Sequence, residues 1–384
     1  MPVINSVAAR TDDVQAWRRA IHAHPELGFD VHQTAATVAD LLRSFGCDDV
    51  VTGIGQTGVV GVIRGQSAGR TIGLRTDMDA LPITEATGRD YASAIAGKMH
   101  ACGHDGHTAM LLGAARHLCE TRQFAGTTVV VFQPAEEGGA GGRAMVRDGL
   151  MERFGIEEIY GMHNLPGLPV GVFALRPGPI MAATDRLEIE IEGKGGHAAA
   201  PHLCNDPVLA GALMVSAIQG IVARNVDPLE AAVISVTQFN AGTASNIIPQ
   251  SARLGGTLRT LKAETFDTLS QRLDAVVQGI ASAQGVTAKV TIHRGYPVTK
   301  NHPDQTLVAA GVARQIGTEV DTDAPPIMGA EDFSYMLEAR PGAFIFTGNG
   351  ETAGLHHPEY DFDDAVLPYG ISYWVRLVET ALPA

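Results

Sequence analysis

The sequence lacks the features that mark disulfide-stabilised and nucleic-acid-binding proteins. It has only 4 cysteines, and their spacing matches neither a zinc finger nor a CxxC redox motif, so we expect free thiols. The formal net charge is −14 and no basic stripe is present, which disfavours nucleic acid and anionic membranes as partners. No apolar run approaches the roughly 20 residues that cross a bilayer, so no transmembrane segment is expected.

The N-terminal segment does not read as a secretory signal. Residues 1–17 carry Asp12 and Asp13 and contain no apolar core segment. A cytoplasmic location is therefore the expectation. At 384 residues, the chain exceeds the usual size of a single hydrophobic core, which favours two domains.

The first half of the chain alternates between helix and strand patterns. Apolar spacing predicts helices over 12–23, 34–45, 108–120 and 143–150, and β-rich runs predict strands over 58–64, 71–75, 127–132 and 158–162. Such alternation is typical of an α/β fold, here a mixed, largely parallel sheet covered by helices.

The pattern changes in the middle of the chain. Strands are predicted over 186–192, 232–239, 252–259 and 286–293, with helices over 206–226 and 263–284. The order βαββαβ indicates an inserted α+β ferredoxin-like domain over 182–296. Helices over 306–316 and 331–338 and a strand over 343–347 then complete a discontinuous first domain of residues 1–181 and 297–384.

A stretch rich in metal-binding side chains lies at 100–107. Thiolate and imidazole are ligands for borderline-soft divalent metals, and both Cys102 and His104 occur here. Read as an extended segment, the two residues flanking Gly103 would face the same side and reach one metal. His100 and His107 are expected to cap or pack, with metal binding as the less favoured alternative.

Further donors follow the ends of predicted strands, where ligands gather in open α/β sheets. Glu136 and Glu137 follow one strand, and His163 follows another; His356 lies far along the chain. These donors, with Cys102 and His104, exceed what one tetrahedral site takes, which favours two metals. One glutamate would bind metal and the other would take a proton from water. Asp79 would orient a metal ligand without binding the metal itself.

Several motifs together resemble the aminoacylase/carboxypeptidase-type metallopeptidase superfamily. The closer resemblance is to its branch of hippurate hydrolases and auxin-conjugate (indole-3-acetyl-amino acid) amidohydrolases. The motifs cover the chain in order, at residues 22–28, 77–82, 99–107, 133–138, 161–164, 195–198, 245–249, 329–333 and 356–361.

The resemblance implies a dinuclear metal centre with Glu136 as general base and Asp79 as its support. The inserted domain would be a lid and dimerisation domain, from which His197 and Asn246 approach the active site, often from a partner subunit. His197 would stabilise the oxyanion or hold the substrate carboxylate with Asn246. The implied metal ligands are Cys102, His104, Glu137, His163 and His356, the last in preference to His357.

The implied activity is hydrolysis of the amide bond of an N-acyl amino acid by a homodimer or dimer-based tetramer. Cys102 stands where many relatives have another ligand, so zinc and manganese are expected first, with cobalt and nickel as alternatives. Rival functions are a dipeptidase, an N-acetyl or N-succinyl amino-acid deacylase, and a non-catalytic metal-stabilised binding protein. Arg253 and Arg259 are candidate anchors for a substrate carboxylate, or simply solvated.

Overall fold

A computed structural model describes residues 3–384. Met1 and Pro2 lie outside the described residues. They are the first residues of the segment in which no secretory signal is expected and of the first predicted domain. The chain divides into two compact units. The first runs to Ile180 and includes Thr299–Pro325 and Asp332–Ala384, and the second comprises Met181–Val298 and Pro326–Glu331.

The described residues contain sixteen strands. In chain order these are β1 (Asp49–Ile54), β2 (Gly58–Arg64), β3 (Ser67–Asp77), β4 (Ala125–Gln133), β5 (Glu158–Leu165), β6 (Val172–Ala174), β7 (Gly178–Met181), β8 (Ala183–Glu192), β9 (Gly196–His197), β10 (Ala232–Ala241), β11 (Ile247–Ile248), β12 (Ser251–Thr260), β13 (Thr287–Arg294), β14 (Thr299–Asn301), β15 (Glu319–Asp321) and β16 (Gly342–Gly348).

The same residues form eleven α-helices and two short 3-10 helices (Pro201–Leu203 and Asp364–Val366). The α-helices are α1 (Asn5–Ala8), α2 (Thr11–His22), α3 (His32–Phe45), α4 (His104–Thr121), α5 (Gly141–Arg147), α6 (Leu150–Arg153), α7 (Pro207–Asn225), α8 (Ala263–Gln284), α9 (Pro303–Ile316), α10 (Ser334–Ala339) and α11 (Leu367–Ala381).

The first unit is built on an eight-stranded mixed sheet with the order β1-β2-β4-β3-β5-β16-β6-β15. Its central strands β4, β3, β5 and β16 are mutually parallel, whereas β1, β2 and β6 add antiparallel pairs. Runs such as Val129–Phe132 are fully buried because helices cover the sheet. The predicted α/β class is therefore confirmed, with parallel pairing confined mainly to the centre.

The parallel centre also positions the polar motifs. Because β3, β4 and β5 run in the same direction, their carboxyl ends meet at one edge of the sheet. Asp79 follows β3, the glutamate pair follows β4, and His163 lies near the end of β5. The buried helix α4 begins at the same edge with His104.

Four helix predictions in the first unit are wrong in their bounds or number. Helix α9 begins at Pro303, three residues before its expected start at 306. Helix α4 begins at His104 instead of residue 108, and the helix expected over 331–338 begins only at Ser334. The helix expected over 143–150 is two helices, because Gly149 adopts a left-handed φ of 81° between them.

The second unit contains a four-stranded antiparallel sheet with the order β10-β12-β8-β13 and the helices α7 and α8. The sequence of its long elements is the expected βαββαβ. Leu187, Ile189 and Ile191 of β8 pack with Leu269 and Leu273 of α8 in its core. Asp206 caps α7 by accepting hydrogen bonds from Val208 N and Leu209 N.

Helix α7 contradicts the expectation that no apolar run reaches membrane-spanning length. It has 19 residues and a mean hydropathy of 1.5, which satisfies the length and composition of such a helix. Ala210, Met214 and Ile218 nevertheless pack in the core of the second unit. On its other side, Leu209 and Leu213 are exposed.

Candidate metal centre

Cys102 and His104 meet at the start of helix α4. His104 is the first helical residue, and Gly103 before it adopts a left-handed φ of 89°. The expectation of an extended segment is therefore wrong, since this left-handed turn, and not strand alternation, places the two side chains. A Cβ atom on Gly103 would lie 2.4 Å from Asn164 Oδ1, so the turn has room only for glycine.

The Glu136–Glu137 pair is held by a buried carboxylate. Asp79 accepts the backbone N–H of Glu136 at 2.9 Å and that of Glu137 at 3.0 Å. Ala135 has a φ of 55°, a left-handed conformation that non-glycine residues adopt mainly where surrounding contacts enforce it. Asp332 N lies 3.4 Å from Glu136 Oε1. The acidic pair is thus a fixed turn and not a solvated helix face.

Two histidines approach from other segments of the first unit. His163 Nδ1 lies 2.7 Å from Asn164 O, and its Nε2 lies 3.4 Å from Cys102 Sγ. His356 has a φ of 65°, its N–H donates to Ala101 O, and its Nε2 lies 3.2 Å from Glu137 Oε1.

The neighbouring His357 is directed elsewhere. It is exposed, and its Nδ1 accepts a hydrogen bond from Glu359 N. The structure therefore brings His356, and not His357, to the acidic pair.

The expected donors form overlapping groups whose ligand atoms lie within 4.8 Å of one another. Each of the five residues predicted as metal ligands belongs to at least one of these groups. Glu136, the predicted general base, shares a group with His104 and Glu137. The groups within the first unit are Cys102, His104 and His163; Cys102, Glu137 and His356; His104, Glu136 and Glu137; and Asp77, His104 and His107.

The hydrogen bonding of His104 fits a bound cation. Among residues 3–384, neither of its buried ring nitrogens has a hydrogen-bond partner. Its Nδ1 lies 3.5 Å from Asp79 Oδ1, and its Nε2 lies 3.9 Å from Asp77 Oδ2. A buried nitrogen without a partner is costly unless another ligand uses its lone pair.

Burial shapes the protonation of the cluster. It lowers the pKa of His163 well below its usual range, with His107 adding to the effect, and raises the pKa of the Cys102 thiol. Burial also opposes charge on His104, but Asp77 and Asp79 outweigh it and raise that pKa. A divalent cation would favour a Cys102 thiolate and a neutral His104, the reverse of these two shifts, and it would suit the already neutral His163.

His197 and Asn246 lie together in the second unit. The short strands β9 and β11 pair, with His197 opposite Ile247, and Ala198 N donates to Asn246 O. Both side chains are exposed.

The two candidate anchoring arginines of the second unit have partners there. Arg253 forms an ion pair with Glu188 at 2.8 Å. Arg259 Nη1 lies 3.5 Å from Met328 O.

Sequence reasoning missed a buried network behind the donors. His107 Nδ1 lies 2.7 Å from Asp77 Oδ1, and Asp77 Oδ2 lies 2.8 Å from Arg75 Nη1. All three side chains are buried. The spacing of His104 and His107, three residues apart on one helix, is the signal that could have placed them side by side.

A mixed α/β sheet with thiol, imidazole and carboxylate donors at the ends of its parallel strands is the arrangement of a metallohydrolase. The model of Peptidase family M20/M25/M40 matches residues 73–380, and the chain belongs to this family. The resemblance inferred from the motifs is thereby confirmed, and the chain is a hydrolase that acts on amide bonds.

Individual relatives match the chain over most of its length. It is 40% identical to the hippurate hydrolase of Campylobacter jejuni, over 98% of both chains. It is 42% identical to the N-acetyl-L-cysteine deacetylase of Bacillus subtilis, over 91% of this chain and 83% of that protein. The solved structure of the Bacillus subtilis YXEP protein, described as a dinuclear metal binding peptidase, is similar with a TM-score of 0.86, 34% identity and coverage of 98% and 99%.

Proposed function

We propose that this protein is a dinuclear metal-dependent amidohydrolase that releases the amino acid from an N-acyl amino acid. The observation that carries the proposal is the set of overlapping donor groups that includes Glu136. The proposed ligands are Cys102, His104, Glu137, His163 and His356. Two divalent ions there, zinc or manganese first and cobalt or nickel as alternatives, would supply Lewis acidity.

Glu136 is the proposed general base. It is buried beside the donors, its backbone is held by Asp79, and Asp332 N approaches one of its carboxylate oxygens. Glu136 takes a proton from the attacking water and delivers it to the leaving amine nitrogen, so the acyl carbon–nitrogen bond breaks to give a carboxylic acid and a free amino acid. Asp79 supports this geometry without touching the substrate.

We further propose that residues 182–296, which form most of the second unit, are a lid and dimerisation domain, and that residues 1–181 and 297–384 form the catalytic domain. His197 would stabilise the oxyanion, and Asn246 would bind the substrate with it. A homodimer or dimer-based tetramer and a cytoplasmic location complete the proposal.

The similarity to a hippurate hydrolase favours acyl groups such as benzoyl. The similarity to an N-acetyl-L-cysteine deacetylase supports a second candidate, an N-acyl amino-acid deacylase for small acyl groups. A panel of benzoyl-, indoleacetyl-, acetyl- and succinyl-amino acids beside dipeptides separates these functions. The largest kcat/KM on dipeptides would contradict both acylamino-acid proposals.

Glu136→Gln tests the base. The variant should retain two metal ions per chain and lose at least about a hundredfold in kcat, because the neutral amide cannot accept the proton. Glu137→Gln is the matched control. Elemental analysis of this variant should show a loss of bound metal, because Glu137 is a proposed ligand. A Glu136→Gln enzyme with near-normal kcat would exclude Glu136 as the base.

Metal removal tests the rival reading of a non-catalytic, metal-stabilised binding protein. Dialysis against a chelator should abolish amide hydrolysis while circular dichroism retains the folded spectrum, and added zinc or manganese should restore turnover. A protein that hydrolyses none of the panel when fully loaded with metal would support the binding-protein reading instead.

A further inference from the structure

We propose that His107 is a positioning residue that fixes the orientation of His163 through the backbone of Asn164. This inference rests on the proposed function, because it treats His163 as a metal ligand. His107 itself lies outside the proposed ligand set. Its role would be to hold a strand end in place, so that the ring of His163 presents one particular nitrogen to the donors.

The pairing of strands β3 and β5 ends before Asn164. Strands β3 and β5 pair in parallel from Ile72 opposite Glu158 to Arg75 opposite Gly161, and no pairing beyond Gly161 is found between these two strands in the described chain. Three residues further along β5, Asn164 N donates a hydrogen bond to His107 Nε2 at 3.0 Å. The imidazole, which projects from the first turns of α4, thus satisfies a strand N–H that β3 does not reach.

The far side of the His107 ring is anchored. Its Nδ1 lies 2.7 Å from Asp77 Oδ1, and Arg75 Nη1 holds the other oxygen of that carboxylate at 2.8 Å. Thr108 Oγ1 also donates to Asp77 O. A carboxylate accepts the proton of Nδ1–H, so this contact fixes the ring relative to β3. The anchored ring then meets Asn164 through Nε2, which lies 3.0 Å from Asn164 N and 2.7 Å from Asn164 Oδ1.

Asn164 passes this constraint to His163. His163 Nδ1 lies 2.7 Å from Asn164 O, so the proton resides on Nδ1 and the unprotonated Nε2 points toward Cys102 Sγ, 3.4 Å away. The Asn164 side chain is also confined on its other side, where Nδ2 donates to Tyr360 Oη at 2.6 Å. A displaced Asn164 would release the His163 ring.

Two substitutions of His107 distinguish the contact made by Nε2 from the contact made by Nδ1. Glutamine places its amide group where Nε2 lies and can still accept the N–H of Asn164, whereas asparagine reaches only the Nδ1 position beside Asp77. Partners that orient metal ligands are worth about 10–100-fold in metal affinity. We therefore expect His107→Asn to weaken binding of the more loosely held cobalt(II) ion by at least about tenfold, and His107→Gln to stay within about threefold of wild type.

The measurement is a titration of chelator-stripped protein with cobalt(II), followed by the visible absorption of the bound ion, which reports ligand geometry directly. His107→Asn should also alter that absorption at saturating cobalt, and His107→Gln should not. A role in packing or in charge pairing with Asp77 alone predicts the opposite order, since asparagine keeps the contact with Asp77. Equal losses in both variants, or no loss in His107→Asn, would overturn the inference.

Three further variants keep the result interpretable. Tyr360→Phe removes only the contact to the Asn164 side chain and should leave cobalt affinity unchanged, because the backbone carries the constraint. His163→Ala should lose an ion, and if it binds two ions normally the proposed ligand set is wrong, whatever His107 does. If His107→Asn does not fold, Asp77→Asn should weaken cobalt binding about tenfold, and unchanged affinity would overturn the inference.

Discussion

Among individual residues, the buried pair of His22 and Asp105 carries a pH dependence separate from the donor cluster. His22 Nδ1 lies 2.9 Å from Asp105 Oδ2, and its Nε2 lies 3.3 Å from Glu85. Burial opposes charge on His22, but Asp105 and Glu85 outweigh it and raise the pKa of His22 to about 9. Arg18 shares the same carboxylate at 3.3 Å.

This pair should make the protein less stable as the pH rises. A histidine whose pKa is about 6.5 when unfolded and about 9 when folded stabilises the protein fully below pH 6.5, and this contribution is lost as the pH rises to 9. The change is on the order of 3 kcal/mol in the free energy of unfolding. Urea midpoints between pH 6.5 and 9.5 should therefore fall for wild type and much less for His22→Gln.

The exposed His24 provides the control for that experiment. Its ring contacts only Ala20 O among the hydrogen bonds of the described chain. His24→Gln should retain the pH dependence of wild type. A His22→Gln curve that follows wild type would show that the stability change arises elsewhere.

Among the secondary-structure elements, helix α4 depends on one glycine, Gly103, for the turn that precedes it. Gly103→Ala would combine a left-handed φ with a Cβ atom 2.4 Å from Asn164 Oδ1, so Asn164 must shift. Gly155→Ala is the matched control, since that residue has a φ of 63° with open space around it. Thermal unfolding should show a loss greater than about 1 kcal/mol for Gly103→Ala and a smaller loss for Gly155→Ala. Equal losses would mean that the clash is relieved without cost.

Helices whose bounds are set by nearby residues could be predicted from the sequence. Helix α8 spans the residues predicted from its apolar spacing and ends at Gly285, which adopts the left-handed conformation that such a stop requires. Helix α4 was expected four residues too late, because its start lacks a capping side chain and depends on Gly103. Helix α11 was not predicted.

The candidate donors could be chosen from their residue types and motifs, and Asp79 could be chosen as a supporting residue, whereas the contacts of Asp77 could not. Nothing in the sequence near Asp77 indicates that it pairs with His107 and Arg75, because these contacts arise only when β3 and α4 are packed together. Tertiary packing likewise gives Ala135 a left-handed conformation that its residue type does not favour.

At the scale of the whole molecule, the exposed side of α7 is the feature that bears on assembly. Leu209 is 51% and Leu213 41% exposed, on a helix whose other side is buried. Contiguous exposed apolar surface of this kind is typical of protein interfaces. This surface supports the proposal that two copies of the chain associate through their second units.

Sedimentation or light scattering of Leu209→Glu and Leu213→Glu tests that proposal. Wild type should have the mass of a dimer or tetramer, and a charge placed in the interface should produce monomers. Leu307→Glu, at a leucine 70% exposed in the first unit, should keep the wild-type mass. A monomeric wild type would exclude the assembly.

The central position of β16 in the eight-stranded sheet affects how the protein can be made in a cell. This strand lies between β5 and β6, although more than 160 residues separate it from both in the chain. While the ribosome is still synthesising the insert, the nascent polypeptide must carry β5 with an open edge that can pair with another molecule. Chaperone protection during translation would matter most in that interval, and it would end when residues 342–348 emerge and fill the gap.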